Sequence, residues 1–274
     1  MPRHASLRIL AAGLLAATCF AGPASAEAAA RPVRVLQFNL CNSGHAPCWG
    51  EKPGPDGTRA ARTMSKVVSV FKSLNPRPSV VVMNEVCSSD LASMKIRLGL
   101  DGDSFFTVYK NSAKYTCGGS RNGGGSYGSA ILTEAPLRKP YSAYRLEKRF
   151  TKQDGSSERR VMGCRKEPAF TVCTGHLSVS TVAVAEAQCR ELMSGGRKLA
   201  GRGPLIVSGD LNLRWNRPAE QAALKRCLGS GYTRKSDGNR QHVIARDSGH
   251  GFVRTGTISM GSYSDHDAFW ADLS

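Results

Sequence analysis

Residues Ile206-Val207-Ser208-Gly209-Asp210-Leu211-Asn212 combine an apolar run with two polar side chains that follow it. The run Leu205–Ser208 predicts a buried β-strand, and Gly209 permits a tight bend after it. If the backbone stays extended, the i, i+2 spacing places Asp210 and Asn212 on the same side of the chain. The stretch therefore predicts a strand edge that presents a carboxylate and an amide to a cation or a phosphate, with a plain turn as the alternative.

Four further stretches also place polar groups at the edge of a predicted strand: Val35-Leu36-Gln37-Phe38-Asn39, Val81-Val82-Met83-Asn84-Glu85-Val86, Thr174-Gly175-His176-Leu177-Ser178 and Ser264-Asp265-His266. Glu85 follows an apolar stretch, and a carboxylate at the end of a buried strand is a candidate ligand of a hard cation such as Mg²⁺. His176 and His266 are candidates for proton transfer because imidazole titrates near neutral pH. Either histidine, taken alone, would more often have a structural role.

In this order the five motifs resemble those of the endonuclease/exonuclease/phosphatase superfamily, which has the fold of deoxyribonuclease I. The resemblance extends over residues 33–273. It implies an α+β fold built as a four-layer α/β/β/α sandwich, with two mixed β-sheets packed face to face and helices outside. It also implies a hydrolase of phosphate esters that depends on a divalent metal, Mg²⁺ first, with Mn²⁺ or Ca²⁺ as alternatives.

The resemblance also implies a role for the polar residues of the motifs. The implied metal ligands are Glu85, Asn39 and Asp265, and the implied catalytic residues are His176, Asp210, Asn212, His266 and Tyr127.

Three positions depart from the family pattern. Asn84 stands before Glu85 where the family usually has glutamine, and Ser129 stands where deoxyribonuclease I has a glutamate that partners the first histidine. The aspartate that usually orients the last histidine corresponds to Gln241 or His242. The residues that could replace it are Asp237, Asp247 and Asp267.

The first 26 residues have the pattern of a secretory signal peptide. Arg3 and Arg8 give a positive start, Ile9–Phe20 is apolar but short for a membrane span, and Ala24-Ser25-Ala26 resembles a cleavage site. We therefore expect residues 1–26 to be removed and residues 27–274 to form one secreted, extracellular catalytic domain. No other stretch is apolar enough to cross a bilayer, and we expect a monomer without stable membrane association.

Of the 9 cysteines, all but Cys19 follow residue 26. An even number of cysteines in an exported chain predicts disulfides, although sequence alone leaves many pairings open. Pairing neighbours along the chain predicts Cys41–Cys48, Cys87–Cys117, Cys164–Cys173 and Cys189–Cys227. The alternative is a zinc cluster, which the absence of any C-x2-C pair disfavours.

The formal net charge of +17 favours polyanionic partners: nucleic acid, anionic lipid headgroups or acidic polysaccharide. Solubility or retention at a cell wall is the alternative explanation. Arg121, in the Gly-rich loop Cys117–Ser126, and Trp215 are candidate substrate-binding residues, although Trp215 could equally be a packing residue. The charged arm Lys148–Arg160 could also touch a polyanion.

Periodicity predicts an α and β mixture with many short strands. The predicted strands are Val33–Asn39, Ser79–Asn84, Ser104–Lys110, Gly128–Thr133, Arg159–Cys164, Ala169–His176, Leu205–Ser208, Val243–Arg246 and Asp267–Leu273. The predicted helices are Thr58–Leu74, Val182–Leu199 and Pro218–Leu228.

Three classes of function remain open at this point. The first is a secreted nuclease that hydrolyses DNA or RNA. The second is a phosphodiesterase of phospholipids similar to sphingomyelinases, or a phosphomonoesterase; the sequence lacks the exposed apolar hairpin that a lipid enzyme needs. The third is a non-catalytic protein that binds polyanions by charge alone.

Overall fold

The chain alternates short strands with a few helices, as the periodicity predicts. The structure, a computed structural model, describes residues 32–46, 58–118, 124–134, 144–246 and 251–274. Within these ranges the strands are β1 (Val33–Asn39), β2 (Val80–Cys87), β3 (Gly102–Thr107), β4 (Tyr109–Lys110), β5 (Ala113–Lys114), β6 (Tyr127–Thr133), β7 (Tyr144–Arg149), β8 (Glu158–Arg159), β9 (Val161–Lys166), β10 (Thr171–Gly175), β11 (Leu205–Asp210), β12 (Tyr232–Ser236), β13 (Gln241–Arg246), β14 (Phe252–Ile258) and β15 (Ala268–Leu273). The α-helices are α1 (Thr58–Ser73), α2 (Ser88–Leu98), α3 (Val182–Ala200) and α4 (Pro218–Leu228), and a 3₁₀-helix covers Gly261–Tyr263.

Two six-stranded mixed sheets form the framework of the described residues. The first sheet has the order β14-β15-β1-β2-β6-β3, and the second sheet has the order β12-β13-β11-β10-β9-β7. Strand β1 is parallel to β2 and antiparallel to β15, and β10 is parallel to β11. A third, small sheet has the order β5-β4-β8.

Three apolar layers hold four layers of secondary structure together. Helices α1 and α2 pack on the outer face of the first sheet, and α3 and α4 pack on the outer face of the second. The third apolar layer lies between the sheets. Strand alternation produces this division, because in β1 Leu36 and Phe38 face the helices while Val35 faces the second sheet. The α+β four-layer sandwich is therefore confirmed.

The layer between the sheets becomes polar at the carboxyl ends of β1, β2 and β11. The Ser208 hydroxyl donates to Oε1 of Gln37 at 3.0 Å, which joins the second sheet to the first. The backbone N–H of Asp210 donates to Oδ1 of Asn84 at 2.8 Å. Buried polar networks are stable only when their members are satisfied, so these bonds set the relative position of the two sheets at this end.

The periodicity misses one helix, α2, the two-residue strand β5 of the small sheet, and three longer strands, β7, β12 and β14. These three strands lie at edges of the large sheets, and most of their residues are exposed or half-buried, so they lack an alternating apolar face. Helix α1 ends at Ser73 rather than Leu74, and α4 has the predicted bounds with Pro218 in its first turn. Among the described residues, no helix is both long and apolar enough to span a membrane.

Three of the four predicted disulfides are confirmed: Cys87–Cys117, Cys164–Cys173 and Cys189–Cys227. Cys48 lies outside the described ranges, so the Cys41–Cys48 pair stays a prediction. Residues 1–26 also lie outside these ranges, and the described residues all belong to one compact unit, Arg31–Ser274.

Candidate active site

The sequence predicts that Glu85 follows the end of a strand. In the structure Glu85 instead lies within β2, at a bulge. The ladder between β2 and β6 pairs Met83 with Ala130 and then Val86 with Gly128, so β2 contains one extra residue. The φ angle of Glu85 is 54°, which is uncommon for a residue other than glycine. In a regular strand Glu85 would alternate with its neighbours and face the helices. The bulge instead aims its carboxylate into the polar layer between the sheets.

The side-chain amide of Asn39 holds two carboxylates together. Its Nδ2 donates to Oε1 of Glu85 and to Oδ2 of Asp210, both at 2.9 Å. Its Oδ1 accepts the backbone N–H of Cys41 at 3.0 Å, and its backbone carbonyl accepts the Ser264 hydroxyl at 2.7 Å. Because Glu85 belongs to the first sheet and Asp210 to the second, Asn39 sets the spacing of carboxylates that come from different sheets.

Asp210 and Asn212 are brought together by a turn. The backbone does not stay extended, since the φ angle of Asn212 is 48°. The N–H of Asn212 donates to Oδ1 of Asp210 at 3.0 Å, and its Nδ2 donates to the carbonyl of Leu177 at 2.8 Å. The turn therefore ties the end of β11 to the segment that carries His176.

His176 is buried beside both carboxylates. Its Nε2 lies 3.9 Å from Oε1 of Glu85 and 3.8 Å from Oδ2 of Asp210. Its Nδ1 has no hydrogen-bond partner among the described residues. Ser129, which stands where a glutamate partner is found elsewhere in the family, instead accepts a hydrogen bond from Asn84 at 2.9 Å.

His266, which lies near the C-terminal end of the domain, is also placed beside Asp210. Its Nε2 lies 3.5 Å from Oδ2 of Asp210. Its Nδ1 donates to Oδ1 of Asp265 at 2.8 Å, so the carboxylate partner of His266 is the residue immediately before it. The family resemblance implies a place for Asp265 at the metal, and that role stays a prediction.

Gln241, and not His242, occupies the position of the usual aspartate. Gln241 pairs with Asp210 in the ladder between β11 and β13 and is fully buried. His242 faces the helices, and its Nε2 lies 2.8 Å from the carbonyl of Leu213. The proposed replacements do not bond His266 through their side chains in the described residues: Asp237 accepts backbone N–H groups of Asn239 and Gln241, and Asp267 accepts the Met260 N–H. Asp247 lies outside the described ranges.

The pKa values of the two histidines are shifted in opposite directions. Burial, followed by the charge of Arg160, lowers the pKa of His176 well below its ordinary value. Burial also lowers the pKa of His266, but the hydrogen bond to Asp265 and the charge of Asp210 outweigh it, so the pKa is raised overall. One site thus contains a neutral imidazole and an imidazole that favours its protonated form, which suits separate acid and base roles.

The carboxylate pair fits a hard divalent cation. Burial raises the pKa of Glu85 to about 7 against the lowering effect of the Asn39 hydrogen bond, and the charges of Asp210 and Asp265 act in the same direction as burial. A cation beside these oxygens would offset that repulsion. The described residues contain no cluster of three or more His, Cys, Asp or Glu side chains placed to hold a metal. Mg²⁺ commonly takes only one or two protein carboxylates and keeps several waters, and Glu85 and Asp210 can supply these.

The remaining predicted residues lie around this centre. Tyr127 is buried in β6, and burial together with the charge of Glu85 raises its pKa well above the ordinary value. The Trp215 ring packs on the apolar layer of α3 and α4 and lies 3.5 Å from the guanidinium carbon of Arg234. This is the packing role that the sequence left open, and stacking on substrate stays a prediction. Arg121 lies outside the described ranges.

Two arginines at the site have no counterpart among the sequence predictions of catalytic residues. The Nη1 of Arg160 donates to the backbone carbonyls of His176 at 3.1 Å and Leu177 at 2.7 Å, which positions the segment after β10. The carbonyl of Arg240 accepts the N–H of Leu211 at 3.0 Å, directly beside Asp210. After burial and the charges of Arg160 and His266, the charge of Arg240 also lowers the pKa of His176. Arg240 directly precedes Gln241, and this proximity to a candidate site position is the sequence signal that could have identified it.

Comparisons with known proteins agree with this fold. Solved structures with a similar fold include an endonuclease/exonuclease/phosphatase from Beutenbergia cavernae DSM 12333, with a TM-score of 0.62 and 18% identity, covering 89% of this chain and 71% of that chain. D. rerio TDP2 complexed with single-strand DNA product has a TM-score of 0.57 and 12% identity, covering 89% of this chain and 99% of that chain. The mannosyl-6-phosphatase Bt3783 of Bacteroides thetaiotaomicron has a TM-score of 0.58 and 11% identity, covering 88% and 99%.

These likenesses concern the fold. A search of curated proteins finds no match. The sequence profile of the Endonuclease/Exonuclease/phosphatase family matches residues 36–266. This range contains all five motifs except Val35, the first residue of the motif in β1. The chain therefore belongs to the endonuclease/exonuclease/phosphatase family.

Proposed function

We propose that the protein is a secreted phosphodiesterase that depends on a divalent metal and cleaves nucleic acid. The observation that carries this proposal is the arrangement around Asn39, whose amide joins the carboxylates of Glu85 and Asp210. His176 and His266 flank Asp210 at 3.8 and 3.5 Å. The site thus combines hard oxygen ligands with two imidazoles whose pKa values are shifted in opposite directions, and these are the groups that phosphoester hydrolysis needs.

Each residue would have a distinct task in this reaction. Glu85, held by Asn39, would bind the cation, which when bound offsets the negative charge of the phosphoryl oxygens. Asp210 would orient the attacking water through the oxygen that faces the histidines. His266, favoured in its protonated form, would donate a hydrogen bond to a phosphoryl oxygen. Asn212 keeps one amide hydrogen that Leu177 does not use, and this hydrogen could reach the phosphate.

A nucleic acid is the favoured substrate because of charge. The chain has a formal net charge of +17, and Lys and Arg side chains bind phosphates without regard to base sequence. Within the described ranges the Arg240 side chain makes no hydrogen bond or ion pair, so it is available to a phosphate at the site. The solved complex of D. rerio TDP2 with single-strand DNA product supports the same substrate class on this fold.

Export is proposed from two independent features. Residues 1–26 have the charge, apolar run and cleavage pattern of a signal peptide. Three disulfides in the folded domain suit an oxidising compartment.

A panel of substrates tests the proposal. The purified protein is incubated with DNA, RNA, sphingomyelin vesicles and p-nitrophenyl phosphate, each with Mg²⁺, beside the variant His176→Ala. We expect cleavage of nucleic acid that the variant loses. Hydrolysis of p-nitrophenyl phosphate alone would indicate a phosphomonoesterase, as the name of Bt3783 suggests for that protein, and hydrolysis of sphingomyelin alone would indicate a lipid enzyme. Binding of nucleic acid without any hydrolysis would indicate a polyanion-binding protein.

A further inference from the structure

The rings of His45, Tyr115 and Tyr127 form a continuous aromatic cluster. The His45 ring stacks on the Tyr115 ring with centroids 4.0 Å apart and planes 26° from parallel. Tyr127 meets both rings edge-on, at 5.4 Å from His45 and 5.7 Å from Tyr115. His45 is exposed and Tyr115 is half-buried, so the stacked pair, which we term the aromatic platform, can be reached from solvent.

Backbone contacts hold the aromatic platform in place. The Nε2 of His45 lies 2.8 Å from the carbonyl of Thr116, and the N–H of Gly118 donates to the carbonyl of Ser43 at 2.9 Å. Gly44 has a φ angle of 79°, and a Cβ at this position would lie 2.0 Å from the carbonyl oxygen of Gly118. Only glycine permits this approach of the two segments. The ring pair is therefore organised before any ligand binds, which lowers the entropy cost of binding.

Both segments of the aromatic platform are anchored next to Glu85. The N–H of Asn42 donates to the backbone carbonyl of Glu85 at 2.9 Å. The disulfide of Cys117 with Cys87 attaches the other segment to the end of β2. Both segments that carry the platform are thus connected directly to the part of β2 that carries the proposed metal ligand.

A cation accompanies the rings. The Nζ of Lys110 lies 5.4 Å from the centroid of the Tyr115 ring. Lys110 and the nearby Lys114 are exposed on the small sheet. Exposed aromatic faces beside lysines are the combination by which proteins bind single-stranded nucleic acid, because bases stack on the rings and phosphates meet the cations.

We propose that His45 and Tyr115 stack a base of single-stranded nucleic acid next to the phosphate that is cleaved. This inference rests on the proposed function and specifies its substrate class. Bases in a duplex are paired and stacked within the helix and would not reach the ring faces. The platform therefore selects strands with accessible bases over intact duplexes, and over lipid or sugar phosphates that have no base.

The test compares two substrates that differ only in their bases. Oligothymidylate and its fully abasic counterpart are cleaved by the wild-type protein and by His45→Ala, Tyr115→Ala and His45→Phe. We expect the alanine variants to raise KM for oligothymidylate by about 5- to 100-fold, the range for loss of one base–aromatic stack. The KM for the abasic strand should change much less, and His45→Phe should keep the wild-type preference because it retains a ring. Tyr144→Ala, at an exposed tyrosine of β7, is the matched control and should leave both values unchanged.

Two further measurements separate failure of this inference from failure of the proposed function. Methyl p-nitrophenyl phosphate, a small diester without a base, reports the chemistry alone. If the wild-type protein cleaves it but has equal KM for the two strands, the platform is refuted while the phosphodiesterase stands. If the protein cleaves no substrate, fluorescence anisotropy in EDTA still decides: equal affinity for the two strands overturns the platform, and a preference for bases that His45→Ala removes supports it.

Discussion

The side chain of Asn39 on the first sheet donates to the carboxylate of Asp210 on the second sheet at 2.9 Å. The same amide nitrogen donates to Glu85, so one side chain controls both carboxylates. Asn39 can bond both carboxylates only when the two sheets pack in their present relative position. The candidate site is therefore a product of the sandwich, and residues far apart in sequence become functional together.

Removing the Asn39 amide should loosen the metal site. In Asn39→Ala the two carboxylates lose their shared hydrogen-bond donor and repel each other. Loss of a residue that holds a metal ligand by a hydrogen bond typically costs about 10- to 100-fold in metal affinity or activity. The measurement is the Mg²⁺ concentration that gives half-maximal activity. Asn39→Asp, which keeps the size but adds a third carboxylate, should change this concentration as well. A half-maximal concentration that neither variant alters would contradict the bridging role.

Arg240 should contribute to substrate binding by its charge. Arg240→Ala removes a cation whose charge acts on both His176 and Asp265 and whose side chain makes no hydrogen bond or ion pair in the described residues, so KM should rise and the slope of log KM against log salt should fall by about one unit. Arg202→Ala is the control, because Arg202 is exposed just before β11, at the opposite end of the strand from Asp210. Equal salt slopes in the wild type and Arg240→Ala would rule out a phosphate contact.

Glu186 should stabilise the helical layer of α3 and α4 in a pH-dependent way. Hydrogen bonds from Arg226, opposed by burial and aided by Arg190, lower the pKa of Glu186 from 4.5 to about 2. Because the folded-state pKa is depressed, the stabilisation is fully present above the unfolded pKa near 4.5 and is lost as pH falls from 4.5 towards 2. Glu186→Gln should lower the free energy of unfolding by up to about 1 kcal/mol at neutral pH, a value typical of exposed ion pairs.

Urea unfolding at a series of pH values checks this. The difference between the wild type and Glu186→Gln should shrink steadily below pH 4.5. A difference that stays constant across this acidic range would show that the carboxylate charge is not the cause.

The Cys189–Cys227 disulfide should stabilise the same two helices. It joins α3 to α4 across a sequence separation of 38 residues. The double variant Cys189→Ala/Cys227→Ala should lose about 2–5 kcal/mol in the free energy of unfolding, since the cross-link restricts the unfolded chain. Reductant should lower the melting temperature of the wild type and have a smaller effect on the variant. If reductant acts equally on both, this bridge makes no contribution of its own.

The central strands and the site motifs were predictable because they carry strong physical signatures. Apolar runs such as Val80–Asn84 must be buried, and a polar side chain at the end of such a run needs a partner or a function. The strands β7, β12 and β14, which lie at sheet edges in the described residues, have no such signature, since most of their residues are exposed or half-buried.

The geometry of the site was less predictable than its membership. Nothing in the sequence indicates that Glu85 adopts a φ angle of 54° and turns away from the helices. The placement of Gln241 opposite Asp210 depends on the register between β11 and β13. The pairing of His266 with Asp265 depends on the local conformation of the loop before β15. A register of one residue more or less would have placed His242 in the site, so the sequence left both possibilities open.

The most direct test of the proposed metal-dependent phosphodiesterase activity is cleavage of single-stranded DNA by the purified protein with Mg²⁺. The reaction is run with and without EDTA, and the variant Asp210→Asn is measured beside the wild type. This substitution keeps the shape of the side chain but removes the carboxylate that faces His176, His266 and Asn39. We predict that EDTA abolishes cleavage and that Asp210→Asn reduces its rate by at least about 100-fold, the scale on which general acid–base groups contribute. Cleavage that persists in EDTA, or that Asp210→Asn leaves intact, would contradict it.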